Sequence, residues 1–251
     1  MDTHTLVSQI STTPWHIAIL IPARDEATLL PRCLRSIQCA RTYLPAHVTS
    51  DVVLVADRCV DNTLTLGRKI LRTRGLAVAS SFGVVGSARA LAADMALSRY
   101  GGLLDRCWLA NTDADCEIPK MWLVDQLSLA EQGAEAVAGS VCVDSFDEHP
   151  SHVAERFRET YLLHADGTHP HVHGANLGVR ADTYGIAGGW RGLSTAEDHD
   201  LWSRLKSQGS DCRSVASLKI TTSGRIQGRA PQGFAEALAA HGNVLTAEAA
   251  A

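Results

Sequence analysis

An α/β chain built on a mostly parallel, doubly wound sheet is predicted by three features of the sequence. Short apolar runs alternate with segments of helical spacing, the connections between them are short, and polar clusters recur just after an apolar run ends. His16–Ile21 is a compact apolar run stopped by Pro22, which reads as a buried strand followed by a loop. Glu26–Arg41 has helical spacing, with Leu29, Leu30, Leu34 and Ile37 on one side. Asp51–Ala56 is the second strand, Asn62–Thr73 a helix carrying Leu64, Leu66 and Ile70, and Leu76–Ala79 the third strand. Gly86–Tyr100 is an Ala-rich helix, and Arg106–Ala110 a fourth strand. Ligands of such sheets bind beyond the C-terminal strand edges, where these polar clusters fall.

The second half is less regular. Pro119–Gln132 reads as a helix, Glu135–Val143 as a strand and Pro150–Ala165 as a helix. Ala175–Val179 resembles a short strand, and Ala196–Gln208 is a helix with an acidic start. Arg213–Thr222 is a late strand and Pro231–Ala251 an Ala-rich tail helix. Residues 1–15 read as a loose leader. No internal repeat or linker divides the chain.

The 251 residues, 45% hydrophobic and 20% charged, suit one domain with a sizeable core. A net charge of −4, with Lys and Arg dispersed, gives no electrostatic case for nucleic acid or an anionic membrane. The 7 cysteines are scattered without a Cys-x-x-Cys pair, and read as reduced thiols of a cytoplasmic protein. The N-terminus shows no signal-peptide pattern, and no apolar run approaches bilayer length, so any membrane contact must be peripheral.

The strongest chemical signal is Asn111-Thr112-Asp113-Ala114-Asp115, directly after the fourth strand. On extended backbone, residues i and i+2 point to one side, so Asp113 and Asp115 converge and call for a cation. Mg²⁺ and similar hard ions take few carboxylates and fill their shell with phosphate oxygens, which makes this a candidate metal–diphosphate clamp; a surface turn is the plainer reading. Pro22-Ala23-Arg24-Asp25-Glu26 follows the first strand, either cupping a nucleotide or placing acids at a helix start. After the second strand, Asp57 is placed to accept from a base N–H, while Asp61 is better placed to cap the next helix. Gly83 and Gly86 open the third helix, where exposed N–H groups and Arg89 could meet a phosphate, although no Walker ending or Gly-x-Gly-x-x-Gly spacing is present. Glu197-Asp198-His199-Asp200 is either dipole stabilisation of a helix start or the source of a general base, with Gly188-Gly189-Trp190 and Gly192 as a flexible loop over a cleft. His169, His171 and His173 alternate; on a strand they would share a face and could bind Zn²⁺, and otherwise they are polar loop.

Taken together these segments resemble family 2 glycosyltransferases of the GT-A fold over roughly residues 16 to 210, with five elements in the family's order. Ile19–Glu26 looks like the opening strand and nucleotide loop. Val55–Thr63 resembles Val-Asp-Asp-Gly-Ser-x-Asp-x-Thr, Gly86–Arg89 resembles Gly-x-Ala-Arg-Asn, and Asp113-Ala114-Asp115 matches Asp-x-Asp. Gly174-Ala175-Asn176, Gly188-Gly189-Trp190 and Glu197-Asp198 follow the acceptor-side pattern Gly-x-Asn, Gly-Gly-Phe, Glu-Asp. The resemblance implies a Rossmann-like, mostly parallel sheet flanked by helices, with a smaller acceptor-side mixed sheet. It implies a single domain over 1–251: leader 1–15, nucleotide-binding half 16–115, acceptor-binding half 116–225 and tail helix 226–251.

It further implies a nucleotide-diphosphate sugar donor and a small-molecule or glycan acceptor; the 5% aromatic content favours a small one. Asp115, with Asp113, would hold Mg²⁺ or Mn²⁺. Pro22, Ala23, Arg24, Glu26 and Asp57 would hold the nucleoside, and Arg89, Asp113, Arg225 and Arg229 would serve the diphosphate. Gly174, Ala175, Asn176, Gly189 and Trp190 would form the acceptor side. Asp198 would be the base, with Glu197 beside it, and transfer would invert the anomeric carbon. The chain departs from the pattern at Ala56, at Cys116, and in lacking a late His at the place of Thr221–Arg225. Rival readings are a sugar-phosphate nucleotidyltransferase, a non-catalytic nucleotide-sugar-binding protein and a zinc hydrolase using the His cluster.

Overall fold

The computed structural model describes residues 13–231 and 233–248. One seven-stranded sheet carries the chain. Its strands are β1 (His16–Ala23), β2 (Thr49–Asp57), β3 (Leu76–Ser80), β4 (Cys107–Asn111), β5 (Ala136–Val143), β6 (Leu177–Arg180) and β7 (Cys212–Thr222), in the order β3-β2-β1-β4-β6-β5-β7. Only β6 is reversed: it pairs antiparallel with both β4 and β5, while β5 and β7 are parallel. The strands of the second half therefore extend the first half's sheet.

All eight residues of β1 are buried, as a strand covered on both faces must be. Its alternation sorts them between two cores. Ile17, Ile19 and Ile21 face Leu30, Leu34 and Ile37 of α1 (Leu30–Arg41), together with α2 (Thr63–Leu71) and α4 (Trp122–Glu131). Ala18 and Leu20 face α3 (Val85–Tyr100), whose Ala88, Ala92 and Ala96 let it approach the sheet closely. That second face also takes α6 (Ala181–Ile186) and α7 (Glu197–Ser207). The remaining helices, α5 (Val153–Thr160) and α8 (Phe234–Glu248), meet through Phe157 and Phe234, whose ring centroids are 6.0 Å apart.

The elements expected from sequence are present, with shifted boundaries. The first helix begins at Leu30, because residues 26–29 form a turn in which Leu29 and Leu30 N–H donate to the Glu26 carbonyl. Trp15, expected in the leader, is 7% exposed in the core, and its carbonyl accepts from Thr49 N–H. The rest of that leader up to residue 12, and the tail from residue 249, lie outside the described residues. The helix expected over 150–165 spans only Val153–Thr160, and α6 had no sequence signal.

Gly178 shows why β6 tolerates no side chain there. A Cβ at this position would stand 2.3 Å from Gln126 Oε1 and 2.5 Å from Trp108 Nε1, two groups that hydrogen-bond each other at 2.7 Å. Gly178→Ala is expected to destabilise the protein by about 1–3 kcal/mol through overpacking of that buried pair. Urea denaturation measures it, and an unchanged midpoint would contradict the close approach.

Candidate active site

Because every strand except β6 runs one way, the C-terminal ends of β1, β2, β4 and β7 open onto one edge, and reversed β6 begins there. The order turns outward from β1 and β4, which places a crevice between their C-terminal ends. Two adjoining cavities occupy this edge. The first is lined by Pro22, Ala23, Arg24, Glu26, Asp57, Asp113, Asp115, Arg225 and Arg229. The second is lined by Arg89, His173, Gly174, Ala175, Glu197 and Asp198. Asp113 belongs to both.

Asp113 and Asp115 do not lie on extended backbone. Cys116 N–H donates to the Asp113 carbonyl, closing a turn, and the two carboxylates meet different cations. Arg89 Nη2 donates to Asp113 Oδ1 at 2.7 Å, and Arg225 Nη2 donates to Asp115 Oδ2 at 2.9 Å. From α1, Arg32 donates to the Asp115 carbonyl and the Cys33 thiol to that of Asp113. Burial, then the Asp113 charge, pushes Asp115 up to about 6 despite Arg225. Two hard carboxylates under mutual repulsion, on a cavity that Arg225 and Arg229 also line, fit a Mg²⁺- or Mn²⁺-type ion that takes its remaining ligands from phosphate.

In the first cavity, Glu26 is buried and clasps Arg225 with both oxygens, at 2.6 and 2.9 Å. Arg229 Nη2 donates to the Asp25 carbonyl, and its side chain stays half-exposed at the cavity. Asp57 is buried at the end of β2, where its Oδ1 accepts from Ser80 Oγ at 2.8 Å. Asp61 accepts from Thr63 N–H and Ala27 N–H, the structural role expected for it.

On the other side, Asp198 Oδ2 accepts from Gly174 N–H at 2.7 Å and Oδ1 from His199 N–H at 2.8 Å. Glu197 is buried, and burial raises its pKa while Arg89 pulls the other way. Arg89 Nε donates to Glu197 Oε1 at 3.1 Å. Burial works against the charge on Arg89, yet Asp113 and Glu197 hold it above its ordinary value.

Several motif residues serve other ends than those expected. Arg89, expected beside a phosphate, is 2% exposed and held by two carboxylates. The Gly86 N–H donates to the Leu193 carbonyl, and a Cβ at Gly86 would stand 2.0 Å from the Arg191 carbonyl oxygen. The glycine thus admits the 191–193 loop. Asn176 accepts from Trp122 Nε1 and donates to the Ser140 and Leu218 carbonyls, each at 2.8 Å, so it braces the sheet and keeps no amide hydrogen for an acceptor. The Gly188–Trp190 segment, expected as a flexible loop, is tied down. Trp190 N–H donates to Tyr184 Oη, Arg204 donates to the Ala187 and Gly189 carbonyls, and the Trp190 ring lies under Arg89 at 5.3 Å. The histidines do not converge as metal ligands. Their rings stack, with centroids 5.9 Å apart between His169 and His171 and between His171 and His173. Burial lowers His173 to about 4, and its Nε2 pairs with Tyr161 Oη at 3.0 Å. Sequence reasoning gave no role to Val85, Thr222 and Phe234, which line both cavities; Val85 and Thr222 lie inside segments read for their neighbours, and Phe234 lies in no motif.

Residues 14–237 match a family model described as glycosyltransferase like family 2. Among solved structures, Staphylococcus aureus TarS 1–349 in complex with UDP-GlcNAc is similar with a TM-score of 0.62 at 14% identity, over 85% of this chain and 60% of that one. The mannosyltransferase PcManGT from Pyrobaculum calidifontis, in complex with GDP-Man and Mn²⁺, gives 0.63 at 20% identity, over 87% of this chain and 59% of that one. At these identities the likeness shows the fold, and this chain spans about three fifths of their length. No curated protein matches it.

The raised Asp115 pKa has a signed consequence. An acid held above its ordinary 3.8 costs stability wherever it is ionised in the folded protein. That cost is absent below about pH 4, grows towards about pH 6 and is complete above it. In EDTA, Asp115→Asn is expected to be more stable than wild type above pH 6 by about 1–3 kcal/mol, with the gain vanishing towards pH 4. Denaturation at a series of pH values checks this; a less stable variant at pH 7.5 would refute it.

Proposed function

Since the chain belongs to the family described as glycosyltransferase like family 2, we propose that it transfers a sugar from a nucleotide-diphosphate donor to an acceptor hydroxyl, with inversion and with a divalent metal. The observation that carries this reading is the pair of cavities meeting at Asp113, one lined by acids and arginines suited to a nucleotide diphosphate, the other by the Asp198 carboxylate. Both solved relatives cited above hold nucleotide sugars, and one holds Mn²⁺.

In this reading the nucleoside lies over Pro22–Glu26, with Asp57 towards the base. Asp57 keeps one oxygen on Ser80 and offers the other. Arg225 and Arg229 stand on the diphosphate side of the same cavity. Asp113 and Asp115 would hold Mg²⁺ or Mn²⁺, which when bound supplies charge stabilisation to the leaving diphosphate. Asp198 receives the acceptor hydroxyl through a hydrogen bond and takes its proton as the oxygen attacks the anomeric carbon from the face opposite the leaving diphosphate. The electron pair of the broken C–O bond leaves with the nucleoside diphosphate. The backbone N–H groups of Gly174 and His199 fix the Asp198 carboxylate, each occupying one oxygen and leaving lone pairs for that proton. Glu197, buried against Arg89, orients the first turn of α7.

Two outcomes are expected. Asp57→Ala weakens UDP or GDP binding both with and without Mn²⁺, as calorimetric titration reads; a loss confined to the metal-containing titration would move Asp57 to the diphosphate. Asp198→Asn keeps near-normal nucleotide affinity but lowers turnover about 10²–10⁴-fold, followed as nucleoside diphosphate released from a panel of nucleotide sugars. Full turnover in that variant would remove Asp198 as the base.

A further inference from the structure

Arg89 lines the second cavity and is bonded to Asp113, which both cavities share. Its side chain is 3% exposed and touches four separate segments. Nη2 donates to Asp113 after β4, Nε donates to Glu197 at the start of α7, and the guanidinium lies over the Trp190 ring. The fourth segment is Gly174: a Cβ there would stand 2.6 Å from Nη2, so the glycine lets the backbone lie against the guanidinium where it now stands. That glycine's N–H is the donor to Asp198 Oδ2. The residue before α7, Ala196, has φ 56°, a left-handed conformation that a non-glycine residue keeps only when its surroundings impose it. A planar fork pre-set to bind two carboxylates is what holds such a junction, and a lysine could reach only one of them.

We propose that Arg89 is a positioning residue: one buried guanidinium sets Glu197 and Asp198 in register with Asp113, and so aligns the acceptor-side base with the donor-side carboxylates. The catalytic consequence rests on the assignment of Asp198 as base; the alignment itself does not. The inference departs from the phosphate contact that the sequence suggests for Arg89, because its side chain is 3% exposed and lines the second cavity, not the first.

The test uses the full chain with Arg89→Lys and Arg89→Gln. Amide hydrogen exchange is expected to rise at least about tenfold at Gly174 and in the first turn of α7, and to stay unchanged in β1 and β2. Calorimetric affinity for UDP or GDP with Mn²⁺ should change less than about tenfold, while turnover falls about 10²-fold in Arg89→Gln and less in Arg89→Lys, the loss expected of a misplaced rather than missing group. Unchanged exchange at Gly174 in both variants overturns the proposal, and so does an equal rise throughout the sheet. If neither variant folds, Glu197→Gln removes the other end of the bridge and is read by the same Gly174 amide, with the same two outcomes. Failure of the base assignment is separately visible: Asp198→Asn with full turnover rejects the base while leaving the Gly174 result intact. Conversely, unchanged exchange in the Arg89 variants with collapsed turnover in Asp198→Asn rejects only the alignment.

Discussion

Negative charge gathered at one sheet edge, part of it buried, is the constraint around which this molecule is arranged. Glu26, Asp57, Asp113, Asp115, Glu197 and Asp198 all line the same sheet edge. An unpaired carboxylate away from water is costly, and two close together cannot both ionise freely. Arg89 and Arg225 answer this from opposite sides, each bridging two acids. Asp115 still ionises with difficulty, which is the electrostatic condition that makes such a turn receptive to a hard cation.

The topology explains why so many acids can meet there. A parallel sheet delivers the C-terminal ends of its strands to one edge, and reversing only β6 brings its start, with Gly174, to the same place. The two apolar cores keep α1 on one face and α3 with α7 on the other. Arg32 and Cys33 then hold the Asp113–Asp115 turn from the first face, while Arg89 reaches it from the second. The Asp113–Asp115 turn is therefore fixed between two helical layers before any ligand arrives.

Several residues that look functional in the sequence serve the scaffold. Gly86 admits a neighbouring loop, Asn176 braces β5 and β7, and Trp190 is buried under Arg89. Their spacing would look the same in either role, because a motif records that a residue type is required without saying which neighbour requires it. The same ambiguity covered the three histidines, whose rings stack in place of converging on a point.

The sequence by itself determined the α/β alternation, the buried first strand, the Asp-x-Asp at the end of the fourth and the acidic start of α7, because period, capping chemistry and apolar run length are local properties. It also placed Asp57, Glu26 and Asp113 at strand ends, and the geometry puts all three on one cavity. Tertiary structure alone decided that β6 runs backwards, that Phe234 from the tail helix lines both cavities, and that Arg89 spends its charge on Asp113 and Glu197. Those partners are 24 and 108 residues away from Arg89. No local pattern encodes such a distance; it is set by how two helical layers close over one sheet edge.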